Sequence, residues 1–213
     1  MGSLCFAGRW DRAAQTYRWT AGRRVSISPE VSSRGLMEPE AAELRDGRVL
    51  VIWRGSDTPG TPGRKWYSVS EGGVSAEGGL TLGEVRELRY DDGTRFYSPS
   101  SYHRMLRHSA SGRLYWIGNI SPVPPRGNWP RYPLVIAEVD EATPSIHRHT
   151  VTVIDDRRPG QGPEVQFSNF SLLENRETHA LELYLTHYGE LPSSVFTADC
   201  YKYTVTLEAD DTR

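Results

Sequence analysis

No apolar run in this 213-residue sequence approaches the ~18 residues needed to cross a bilayer as a helix, so no membrane partner is expected. Blocks of cationic residues are missing too. The 25 Lys and Arg are scattered and set against 27 Asp and Glu, for a net charge of −2, which argues against nucleic acid as a partner. Cysteine is scarce. Cys5 and Cys200 stand near opposite ends without metal-ligand spacing, and read either as two unpaired small core residues or as one bridge joining the ends of a ring-shaped fold. The opening from Met1 to Trp10 lacks the basic and apolar segments of a secretory signal. The compartment stays open, with secretion or the periplasm compatible with a longer parent protein.

Several chemical signatures are absent as well. There is no Gly-rich phosphate loop, no Gly-x-Ser-x-Gly elbow and no His-Glu-x-x-His pair, and no segment sustains a helical period. Hence no cofactor is expected. No metal is expected either, because His147-Arg148-His149 reads as alternation along a solvent-facing strand.

What the chain does have is a β-type composition, with 11 Tyr, 6 Trp, 20 Gly and 14 Pro between short apolar runs. Three segments share one plan: Gly47 to Arg54, Gly112 to Asn119, and His179 to Thr186. Each follows a polar turn, runs for a strand's length and ends in a polar side chain. Spacings of 65 residues from Gly47 to Gly112 and 67 from Gly112 to His179 make this a long repeat. A strand candidate precedes each (Ala41 to Leu44, Met105 to His108, Val165 to Leu173) and another follows (Lys65 to Ser70, Leu134 to Val139, Tyr201 to Leu207). Each unit is long enough to be its own small sheet, which favours propeller blades over a sandwich. Three units fall short of the roughly four to eight blades that close a ring. The expectation is therefore one all-β domain over residues 1–213, a partial ring of three to four blades from an N-terminally truncated fragment, with self-association through unpaired blade edges.

Candidate site residues cluster at strand ends. Asp46-Gly47 is a tight-turn dipeptide, so a hairpin brings Glu38 and Arg54 to one rim, where a carboxylate beside a guanidinium suits an anionic or polyhydroxylated ligand. Glu38 also reads as a solvated turn residue before Pro39. Arg131 follows the stiff loop Pro122 to Pro130, on which Trp129 is placed to stack on a sugar ring. Tyr97 to Arg104 is the densest polar-aromatic stretch. Tyr102 and His103 there are candidates for general acid and base, and Arg104 for ligand contact, although His103 also reads as a residue bonded within a strand ladder. Arg64 and Arg126 are further cation candidates.

Glu38, Glu43-Leu44, Asp46-Gly47 and Arg54 together resemble the sialidase signature of a glutamate, an acidic-apolar strand, an Asp/Asn-Gly turn, an apolar strand and an arginine. Asn119-Ile120-Ser121-Pro122 followed by Arg131 echoes that family's third-arginine pattern. The resemblance covers residues 36 to 207. It implies a six-bladed propeller acting on a saccharide, with Glu38 polarising a tyrosine nucleophile and Arg54, Arg131 and Asn119 on the substrate side. The sequence also departs from the family. Ser68 to Gly73 is an Asp-box without its aspartate or tryptophan, the family's first arginine and acid/base aspartate have no match, and Phe167 stands where the nucleophilic tyrosine belongs. Three functions follow as expectations: an exo-glycosidase on an anionic or polyhydroxylated saccharide, a non-catalytic carbohydrate-binding propeller, or a polysaccharide lyase using Tyr102 and His103.

Overall fold

The computed structural model describes residues 2–73, 79–191 and 196–207. Among these the only helical element is a 3-10 turn at Arg148–Thr150, and everything else regular is β. The N-terminal part holds two small antiparallel pairs. Strand β1 (Gly2–Ser3) pairs with β4 (Val25–Ser26), and between them β2 (Phe6–Asp11) and β3 (Thr16–Ala21) form a hairpin.

Three larger antiparallel sheets follow. The first is β5 (Met37–Glu43), β6 (Val49–Arg54), β7 (Lys65–Val69) and β8 (Arg86–Glu87), hydrogen-bonded in that order. The second runs β9 (Arg104–Arg107), β10 (Leu114–Asn119), β11 (Leu134–Asp140) and β12 (Ser145–Ile146), with β13 (Thr152–Asp155) also on β11. The third comprises β14 (Ser171–Glu174), β15 (Leu181–Thr186) and β16 (Cys200–Val205). All three repeats named from the sequence are thus sheets, each with the expected segment as its second strand. The architecture is that of stacked blades in a partial propeller.

Local chemistry explains the turns. Between β5 and β6 the Leu44 amide donates to the Arg48 carbonyl (2.7 Å) and the Gly47 amide returns to Leu44 (2.9 Å). Gly47 has φ +82°, which glycine adopts without a Cβ penalty.

Packing decides the stacking order. Along β10, Leu114 and Trp116 face a core shared with Leu50, Ile52 and Leu44 of the first sheet. The alternate residues Tyr115 and Ile117 face a second core with Leu181, Leu183, Leu185 and Phe167. Every residue of β10 is buried, as expected for a strand covered on both faces. Gly118 is needed beside Trp116, because a Cβ there would stand 2.6 Å from the indole ring. A third cluster, Val51 and Trp53 with Leu36, Leu80 and Leu82, covers the far face of the first sheet.

Two expectations are corrected. Residues 147–149 are not a strand: the Thr150 amide and hydroxyl both donate to the His147 carbonyl (3.1 and 2.8 Å) and close the 3-10 turn. The cysteines are unpaired, as the first of their two readings had it, and no bridge joins the ends, but neither is in the core: Cys5 is half-buried and Cys200 exposed.

Candidate functional site

The site grows from the end of β6. Met37 pairs with Arg54 and Glu40 with Ile52, so one extra residue bulges out of β5 between them. Glu38 lies in that bulge with φ +45°, a left-handed conformation that costs a non-glycine residue of order 1–2 kcal/mol. The bulge turns the Glu38 carboxylate onto Arg54, at 2.6 Å from Oε1 to Nη1. Glu38 is the solvent-facing partner, its side chain 46% exposed against 9% for Arg54. Arg54 Nε donates to Ser100 Oγ (2.8 Å), and Nη2 donates to Asn128 Oδ1 (3.2 Å). The Ser100 hydroxyl also lies 3.0 Å from that of Ser56.

Arg131 reaches the same serine from the connection between β10 and β11 of the second sheet. Its Nη2 donates to the Ser100 carbonyl (3.1 Å) and Nη1 to Gln166 Oε1 (2.7 Å). Among the described residues no carboxylate pairs with it, and its buried Nε has no hydrogen-bond partner. Burial, then repulsion from Arg54, lowers the Arg131 pKa to about 10, with Glu38 opposing. Behind them Lys65 is fully buried and donates to the carbonyls of Pro99 (3.2 Å) and Ser101 (2.6 Å). Burial, and next the charge of Arg54, hold its pKa well below the usual lysine range. Three basic side chains thus converge around a single carboxylate, a field suited to an added anion.

A second polar line joins the first strands of neighbouring sheets. Arg104 Nε donates to Glu40 Oε1 (2.8 Å), its Nη1 donates to the Tyr102 hydroxyl (3.2 Å), and the Tyr102 ring meets Phe170 edge-on. Arg104 is therefore engaged by Glu40 and Tyr102, not gathered with Arg54 and Arg131.

Other sequence candidates lie elsewhere. His103 is in the core, against Trp116, with Nε2 3.2 Å from the Ile52 carbonyl and Nδ1 unpartnered. Burial, then the Lys65 charge, keeps it far on the neutral side of its ordinary range. Shut off from solvent, it does not reach the surface on which Glu38 opens. Asn119 is likewise fully buried. Its Nδ2 lies 2.9–3.1 Å from the carbonyls of Phe167, Arg131 and Pro133, so it braces the chain that presents Arg131 rather than facing a ligand. Trp129 is half-buried and paired through its backbone with Arg126, while its neighbour Asn128 makes the contact to Arg54. Arg64 is held by Glu87 (2.9 Å) and the Phe96 carbonyl (2.7 Å), away from the cluster. Phe167 is fully buried, its ring edge-on to His187 at 4.7 Å within the core between the second and third sheets.

Sequence reasoning missed Lys65, Ser100, Asn128 and Gln166. Ser100 and Asn128 did fall in stretches singled out for polar density or stiffness. Lys65 carried no signal beyond starting a strand.

No protein-family model matches the chain. No curated protein matches it in sequence. Among solved structures it is similar to the NanB sialidase from Streptococcus pneumoniae, crystallised in complex with an ammonio-ethanesulfonate compound, at 19% identity and a TM-score of 0.50 over 92% of this chain and 25% of that one. It is also similar to the glycoside hydrolase family 43 protein YxiA from Bacillus licheniformis, at 18% identity and a TM-score of 0.41 over 80% of this chain and 41% of that one. The chain spans about a quarter of the sialidase's length. The likeness to NanB is one of fold: the stacked sheets described above share the architecture of part of a sialidase.

Proposed function

We propose that this chain is a sialidase-like, glycan-acting domain that binds an anionic saccharide where Arg54 and Arg131 meet. The two guanidiniums hold the sugar's carboxylate, and Glu38 acts as the acid/base or polarising group. The observation that carries this reading is Arg131, a largely buried cation with neutral partners only, set beside a second arginine on the same serine. A buried charge without a counter-ion is costly, and a bound carboxylate would supply the missing negative charge in bidentate geometry. Fold likeness to a sialidase adds support by analogy alone.

Phe167 favours a second reading, binding without turnover. A retaining mechanism needs an oxygen nucleophile at that place, and this position holds a phenyl ring buried in the core. The lyase reading is disfavoured by the burial of His103.

Sialosides, uronic-acid glycans and neutral glycosides assayed side by side test the proposal. The acidic sugars should bind, and Arg54→Ala should weaken them by roughly 2–5 kcal/mol, as for a charge pair losing one member. Equal binding of neutral glycosides, or an Arg54→Ala variant that binds as well as the parent, would sink the carboxylate clamp. Release of free sialic acid would overturn the reading of Phe167.

A further inference from the structure

On the outer side of the second sheet, away from the arginine cluster, three potential metal ligands come together across a boundary between sheets. We propose that Asp91, His147 and His149 form a binding site for a divalent transition metal such as zinc, clamping the connection between β8 and β9 to the turn that follows β12. The ligand atoms of the three side chains lie within 4.8 Å of one another. His147 Nδ1 stands 2.9 Å from Asp91 Oδ2, and the two imidazole rings are 5.7 Å apart between centroids. In a tetrahedral zinc site with bonds of ~2.0–2.1 Å, adjacent ligand atoms are about 3.3 Å apart. The Asp91–His147 pair already has nearly that spacing, and the exposed His149 can rotate to close the remainder.

The backbone beneath these ligands is held from several sides. The Asp91 amide donates to the Ile146 carbonyl (3.0 Å), and the His147 amide donates to Glu138 (2.9 Å). The 3-10 turn places His149 on the side of His147. Arg148, lying between the histidines, is drawn off: its guanidinium pairs with Asp92 (2.8 Å) and covers the Tyr90 ring at 5.3 Å. Its amide donates to Asp91 Oδ1 (3.1 Å), which leaves Oδ2, the oxygen that faces His147, for a metal. Two imidazoles and one carboxylate suit zinc, cobalt, nickel or copper rather than calcium or magnesium, which favour oxygen donors. Three protein ligands also leave a coordination position for water. The strand alternation expected from the sequence had no place for Asp91; the 3-10 turn and the connection between β8 and β9 supply it.

The test is titration of the full chain with ZnCl2 by calorimetry, with the visible absorption of Co(II) as a coordination probe and thermal unfolding in parallel. One metal per chain and a raised Tm are expected. Both should be lost in His149→Ala, an exposed change that leaves the fold intact by circular dichroism, and in Asp91→Asn. Loss of a direct ligand should cost at least the ~10–100-fold that loss of an outer partner typically costs. Failure of Zn(II) and Co(II) to bind would overturn the proposal. So would binding that survives His149→Ala but disappears in His179→Ala, which would place the metal between His108 and His179, whose rings lie 6.2 Å apart elsewhere in the fold.

Discussion

Strands β10 and β15 occupy the same place in their repeats, second in an antiparallel sheet, and both are rich in apolar residues. They nevertheless meet different surroundings. β10 is buried along its whole length, its alternate side chains feeding two cores. β15 buries Leu181, Leu183 and Leu185 on one face only. On the other face Tyr184 is 39% exposed and Glu182 takes an ion pair from Lys202 at 2.9 Å. An apolar residue is worth what its second neighbour makes it worth. The site follows the same rule: Arg54 ends β6 of the first sheet, Arg131 lies in the connection between β10 and β11 of the second, and these two sheets pack together.

The sharpest test of this difference is truncation in each strand. Trp116→Ala should destabilise the fold by about 3–5 kcal/mol, because its indole fills the boundary between the first and second sheets. A loss below about 1 kcal/mol in urea unfolding would mean that the two sheets do not depend on each other.

Asn119→Ala comes next, at about 1–3 kcal/mol, since it removes the side-chain amide that bridges the carbonyls of Phe167, Arg131 and Pro133. If the brace positions Arg131, this variant should also weaken binding of an acidic sugar, measured beside its stability. Unchanged affinity would confine Asn119 to the core.

The histidines of the two boundaries sharpen the comparison through pH. His103 is held neutral when folded, far below its ordinary value of 6.5, by burial and then by Lys65. Above about pH 6.5 both folded and unfolded chains carry it neutral and it costs nothing. As pH falls below that value the unfolded chain takes up a proton that the folded chain refuses, so stability drops by at most about 1.4 kcal/mol per pH unit. Unfolding midpoints between pH 7 and 5 should therefore decline, and His103→Leu should flatten the decline. His187, also shifted down by burial but opposed by Asp155 and Glu190, should contribute a shallower slope. A steeper effect from His187→Leu would reverse the ranking of the two boundaries.

Smallest of all should be Tyr184→Ala, within about 1 kcal/mol, as for a surface change that loses one tyrosine–glutamate hydrogen bond and the Lys202 ammonium over the ring. A larger loss would show that the outer face of the third sheet is covered in solution, which bears directly on association through that face.

Much of the fold could be read from residue order, because strand and turn chemistry is local. Asp46-Gly47 made its turn, the three apolar runs became second strands, and the hairpin brought Glu38 to the rim that holds Arg54, where the bulge completes the pair. Other features could not be read this way. His103 and Asn119 look like site residues in the text, yet they are enclosed, since a strand's two faces are equivalent in sequence until another sheet covers one of them. Ser100 and Gln166 joined the arginines from distant loops, Lys65 on β7 opposite Arg54 is buried beneath them, and Asp91 reached His147 from the connection between β8 and β9. The sequence by itself determined the three principal strands of each sheet, through alternation, turns and spacing, but not the short β8, β12 and β13 that extend two of them. Only the tertiary structure decided which side chains are enclosed and which charges meet, because burial and Coulomb interaction depend on distance in space.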